Sequence, residues 1–419
     1  MNKGNNLNGN LMKSKSESIP KYCVYKHSPV LRFLFISENY QGFLLRTFLI
    51  IIIPYLLCIL VCYREDALII PGYIIGILQD YGFFSMIVVS ILLIILGKVF
   101  FDRFPQTFLG SANDLDKNSG LPKAIDFSEG YDKIYLNEID KQIDFIEGKT
   151  RQAKIGRSAI YIVLLFLMLH TFGYEAFIKS QTSEYNVWGL YPSEYRLSYL
   201  SLLIFDSCLF FILVPPGLWR IIGIIFSCNK ILTKLTNDNR LKLSLISPSG
   251  AGGLNSLGRL SIIPMYIVFL PLIPASAMIY MAGFNDYWAI FLPIYTGLLI
   301  FVFFYPLRSA HKAMEIAKEK QLGKISALFG DLYNNRFSVA AQNIGKGSEE
   351  ELLKLSKEFQ CLDLLHEKAE KMPVWPIDLT TVKRFSSVII WPIIGLIIQG
   401  VSNADKIISF FNKIKGIMH

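Results

Sequence analysis

The chain has 419 residues, 52% of them hydrophobic and only 18% charged, with a mean hydropathy of +0.40. That charge content lies below the roughly 25% of soluble domains and excludes an ordinary soluble fold of this length. The net charge of +9 does not point to nucleic acid, because the basic residues lie between apolar runs and no zinc-finger, homeodomain or RNA-recognition motif is present.

The pattern predicts an all-α integral membrane protein of six transmembrane helices. A helix must supply about 20 apolar residues to cross the hydrocarbon. Residues 1–43 form a polar N-terminal segment without a cleavable signal, so the first apolar run is expected to remain as a span. Leu44–Tyr63 and Phe83–Phe101 are the first two spans, within 44–101. Residues 102–156 form a polar insert, loop-like over Phe104–Gly130 and helical over Tyr131–Ile146. In that helix Ile134, Leu136, Ile139, Ile143 and Ile146 recur near the 3.6-residue period.

Ala159–Ile178 and Leu197–Pro216 are spans three and four, within 157–230. A Gly-rich loop occupies 231–261, and Leu241–Ser247 alternates in a strand-like way. Ile262–Ala282 and Tyr287–Leu307 are spans five and six, within 262–307. Residues 308–384 read as a helical hairpin, Ala310–Asn334 and Glu349–Met372 joined by the polar stretch Arg336–Gly347. Ser348 and Glu351 match a capping box, and Leu352, Leu355, Phe359, Leu362 and Leu365 mark one face. Packing or oligomer contact and a regulatory ligand surface are both open to this hairpin. In the last region, 385–419, the apolar segment Phe385–Val401 is broken by Pro392 and Gly395. It reads as a seventh short span or as a re-entrant or interfacial helix.

Orientation follows from charge. Of 42 Lys and Arg residues, 36 lie in the N-terminal segment through Arg46 and in 98–157, 217–261 and 308–384. Only Arg64, Lys179 and Arg196 lie in the alternating loops, which carry Glu65, Asp66, Asp80, Glu175, Glu184, Glu194 and Asp286. The positive-inside rule then places the N-terminus and the large polar segments in the cytoplasm. The cysteines Cys58 and Cys62, at i and i+4, read as small packing residues rather than a metal site.

Asp206 is the one acid well inside a span, and exposing it to lipid costs at least roughly 2.5–3.5 kcal/mol. Counted at about 1.5 Å per residue, His170 on the preceding span lies at similar depth. The pair makes a candidate intramembrane polar site for a proton or ion, or a structural interhelical hydrogen bond. Prolines recur inside spans: Pro54, Pro215, Pro216, Pro264, Pro271, Pro274, Pro293 and Pro306. Each frees a carbonyl and bends its helix, as gates require and as membrane helices also tolerate. Gly250, Gly252, Gly253 and Gly258 precede span five and form a candidate anion-binding loop or a tight packing turn. Asp378 reads as the N-cap of a helix starting at Leu379. No metalloprotease, nucleophile-elbow or kinase pattern is present, so an enzyme, a cofactor and a metal are not expected.

The stretch Pro248-Ser-Gly-Ala-Gly-Gly-Leu-Asn-Ser-Leu-Gly258, with Trp375-Pro-Ile-Asp378, resembles a family of bacterial multi-pass membrane proteins. In that family a Pro-Asp-x-Ala-Gly-Gly-Leu-x-x-Leu-Gly element precedes a span, and a Trp-Pro-x-Asp element precedes a C-terminal hydrophobic helix. Ser249 stands where the family more often has Asp. The resemblance implies a bacterial inner membrane. Two functional expectations remain: a channel- or transporter-like protein using Asp206 and His170, and a signalling or defence effector gated by its cytoplasmic helices. The expected partners are the lipid bilayer, a second copy in a homo-oligomer, and an ion or small anionic ligand.

Overall fold

A computed structural model describes residues 23–36, 40–69, 76–109, 131–168, 196–207, 212–241, 254–276, 286–338, 349–372, 374–377, 381–387 and 390. Among these residues every extended element is helical. The order is α1 (Pro29–Phe35), α2 (Tyr40–Arg64), α3 (Tyr81–Leu109), α4 (Tyr131–Ile146), α5 (Arg151–Met168) and α6 (Arg196–Ser207). There follow α7 (Val214–Asn237), α8 (Asn255–Phe269), α9 (Asp286–Phe304), α10 (Arg308–Asp331) and α11 (Glu349–Glu370).

Four helical stretches are long and apolar enough to cross a membrane: Tyr40–Arg64, Phe83–Leu109, Ser256–Ser276 and Pro293–Arg336. They correspond to expected spans one, two, five and six. At about 1.5 Å per residue the 25 residues of α2 exceed the hydrocarbon thickness. Only 17% of the apolar window of α2 is buried, against 61% for Ser256–Ser276. Lipid is therefore the solvent expected for α2, while α8 is the centre of the bundle. For span three the described residues stop at Met168. For span four they comprise α6 and the start of α7.

Two departures from the sequence pattern have physical causes. Tyr135, not Ile134, belongs to the buried stripe of α4, with Ile139, Ile143 and Ile146. The Tyr135 hydroxyl donates to the Phe108 carbonyl at 2.7 Å, which satisfies it inside the buried stripe. Pro215 and Pro216 do not break a span but open α7, whose first turn needs no N–H from them. The 3.6-residue stripe on α11 holds in part: Leu355 is buried against Leu332 with Phe359 and Leu362, while Leu365 is exposed. Ser348 and Leu241–Ser247 beyond Leu241 lie outside the described residues, as does most of Phe385–Val401.

Polar contacts link elements far apart in the chain. Tyr25 donates to Asp102 at 2.9 Å, and Lys234 donates to Glu138 at 2.8 Å. Burial pushes the Glu138 carboxyl up, but bonds from Lys234 and Gln142 outweigh it and hold it below the usual range. At the end of α2, Glu65 accepts the backbone N–H of Leu197 at 2.8 Å and of Ser198 at 2.7 Å. The Ser198 hydroxyl adds a bond of 2.6 Å. Glu65 thus satisfies free N–H groups in the first turn of α6 and places a negative charge at its positive dipole end. Further along the same pair of helices Cys58 meets the Ser201 hydroxyl at 3.1 Å, and Cys58 and Cys62 are buried as expected for packing residues.

Candidate functional site

The α9 helix does not run smoothly into α10. Tyr305-Pro306-Leu307 tightens into a single 3₁₀ turn, with Pro306 and Leu307 buried. Pro306 has no N–H to complete the α-helical ladder, and a short 3₁₀ segment inside a helix is a common hinge. The hinge joins the apolar helix α9, part of a stretch long and apolar enough to cross a membrane, to the polar hairpin of α10 and α11.

Aromatic rings grip this joint from several elements. Phe226 of α7 lies 4.9 Å from Tyr305, centroid to centroid. Trp375 meets Phe304 edge-on at 5.2 Å, and Phe385 stacks on Phe303 at 4.2 Å. One turn into α10, the His311 ring lies parallel to Trp375, 4.1 Å away with 6° between planes. His311 Nδ1 is 2.8 Å from the Val374 carbonyl, an acceptor, so the proton sits on Nδ1. Lys318, two turns further along α10, donates to the Glu370 and Met372 carbonyls. The chain leaving α11 is therefore tied back along α10 before Trp375 reaches the hinge.

The Gly258 position completes the arrangement. A Cβ there would lie 2.5 Å from the Pro376 carbonyl oxygen. Leu254 and Leu257 of the same glycine-rich element are fully buried in the main core. The two motifs singled out in the sequence are thus in direct contact, 118 positions apart along the chain. At Gly258 the close approach of backbone is by itself a reason for glycine. Gly250, Gly252, Gly253 and Asp378 lie outside the described residues, as does His170. Asp206 lies on the backbone of α6, immediately after Phe205, which is buried against Phe83 at 5.3 Å.

A second polar centre sits at the same end of the bundle as the hinge and escaped the sequence pattern. Arg220, 1% exposed, donates from Nε to the Val24 carbonyl and from Nη1 to the Pro216 carbonyl, both at 2.9 Å. Near it Glu147, also buried, accepts the Lys26 backbone N–H at 3.1 Å and lies 3.0 Å from Lys149 and 3.3 Å from His27. Together they tie the chain before α1 to α7 and to the end of α4. The available signal was a lone Arg between Trp219 and a run of isoleucines, where a cation needs buried acceptors.

Comparison with known protein families, curated proteins and solved structures gives no match. The reading of function therefore rests on the molecule's own geometry.

Proposed function

We propose that this is a gated membrane protein of the bacterial inner membrane, in which the cytoplasmic hairpin α10–α11 acts on the bundle through the Tyr305–Leu307 hinge. One observation carries this reading: the only 3₁₀ break within the Pro293–Arg336 helical stretch is where Trp375, returning from the hairpin, packs against Phe304 and His311. Movement of the hairpin has a direct mechanical route to α9, and through Gly258 to α8. The basic bias of the segments meeting at this end supports a cytoplasmic position. The resemblance of the two contacting motifs to bacterial membrane proteins agrees with that setting.

Asp206 and His170 supply the polar site past which an ion would move, and the hairpin senses a partner or a small anionic ligand. The test is ion efflux from liposomes holding the full chain. Wild type is expected to pass ions slowly, Trp375→Ala several-fold faster, and Asp206→Asn more slowly than wild type. Efflux no greater than from protein-free liposomes in all three would reject the reading.

A further inference from the structure

Beside the Arg220 anchor, the chain before α2 forms a cleft of about 550 Å³. Its walls carry Lys26, His27, Arg32 and Arg46, with Phe33 and Ile36 on the rim. Four groups able to carry positive charge face one space. The nearby carboxylate, Glu147, is already engaged by the Lys26 backbone, His27 and Lys149. Among the described residues no carboxylate pairs with the side chain of Lys26 or Arg32, and both are exposed. Arg46 is fixed in place: Nη1 donates to the Phe33 carbonyl at 2.7 Å and to the Ile36 carbonyl at 2.8 Å. Its guanidinium has five donors, so Nε and Nη2 are left for an anion.

The position of the cleft decides which anion. Arg46 lies six residues into α2, about 9 Å from its start, the depth of a lipid headgroup. Leu49 and Ile53, at i+3 and i+7 from Arg46, are 43% and 49% exposed on the same stripe of α2. Phe33 is 56% exposed at the mouth. A free phosphate would use the cations and leave this apolar track bare. A lipid uses both.

We propose that this cleft binds an anionic glycerophospholipid, its phosphate held by Lys26, Arg32 and Arg46 and an acyl chain lying along Leu49 and Ile53. Bound there, the lipid bridges the N-terminal segment to α2. The site rests on the membrane setting of α2 and is independent of the hinge.

The test is native mass spectrometry of the full chain released from mixed phosphatidylglycerol and phosphatidylcholine nanodiscs. Wild type is expected to keep phosphatidylglycerol selectively. Lys26→Gln with Arg32→Gln is expected to weaken that retention by roughly thirty-fold, as two lost surface cations imply. Lys26→Arg with Arg32→Lys keeps the charges and is expected to keep the lipid. Lys368→Gln with Lys371→Gln, on the hairpin, is expected to change nothing. Equal retention by the wild type and the Gln pair overturns the proposal. Displacement of the lipid by inorganic phosphate alone, with no effect from Leu49→Ser and Ile53→Ser, identifies a free-phosphate site and also overturns it.

Discussion

The α-carbon of Gly258 faces the carbonyl oxygen of Pro376 so closely that an added methyl group would stand 2.5 Å from it. Gly258 lies in α8, the most deeply buried of the apolar stretches, and Pro376 in the segment that carries Trp375 to the hinge. Backbone meets backbone here, so no flexible side chain can yield. In Gly258→Ala either α8 or the Trp375 segment must move. The cost expected for such overpacking is about 1–3 kcal/mol. Thermal unfolding in detergent should show it, and Trp375 emission should shift to the red in a background where the other four tryptophans are phenylalanine. An unshifted emission with wild-type stability would mean the two segments are not locked.

The His311–Trp375 stack should be measurable as a coupling. The rings are parallel at 4.1 Å, and the His311 N–H holds the backbone at Val374. Aromatic pairs of this kind are worth about 0.5–1.5 kcal/mol beyond burial. A double-mutant cycle with His311→Ala and Trp375→Ala should return a coupling of that size. Additive effects would show that each residue acts alone, and the hinge clamp would lose its central contact.

How much of this was legible beforehand depended on whether the signal was local. The α4 helix, the hairpin and four of the apolar stretches announce themselves by period and length, because lipid demands about 20 apolar residues in a row. The importance of Trp375-Pro376 and of Gly258 was visible as motifs, but their contact was not. Nothing in either stretch encodes a partner 118 positions away. The Tyr305–Leu307 turn was foreshadowed by Pro306, which was counted among several prolines with no reason to single it out. Arg220 was counted only as a topological charge, whereas its partners are two main-chain carbonyls, which leave no trace in composition.

Arg220 offers its own prediction. It is buried and its guanidinium holds the Val24 carbonyl, 196 positions earlier in the chain. Charge-assisted bonds of this type contribute roughly 1.5–3 kcal/mol each. Arg220→Leu should release the segment ahead of α1 before the rest of the bundle unfolds. Limited trypsin digestion is the direct readout, since Lys26 is exposed and lies two residues beyond the anchor. Cleavage after Lys26 should be faster by an order of magnitude or so than in wild type. Equal cleavage rates would show that Tyr25–Asp102 and Lys26–Glu147 suffice to hold the segment.

The opposite end of the bundle should respond to acid through Glu65. Burial alone would raise its carboxyl, but bonds from the Ser198 hydroxyl and from the N–H groups of Ser198 and Leu197 hold it below 4.5. A carboxylate whose folded value is depressed contributes stability that is complete above its unfolded value and disappears as pH falls through the folded one. The cap on α6 should therefore be intact at neutral pH, begin to weaken near pH 4.5, and be lost below it. Glu65→Gln removes the charge but keeps the shape, so it should cost about 1 kcal/mol at pH 7, as lost helix caps do. The variant should also show a shallower fall in melting temperature between neutral and acid pH. If wild type and Glu65→Gln melted in parallel across that range, some other carboxylate would have to govern the acid limb, and the link between α2 and α6 would rest on the Cys58–Ser201 contact and the apolar packing around Phe205.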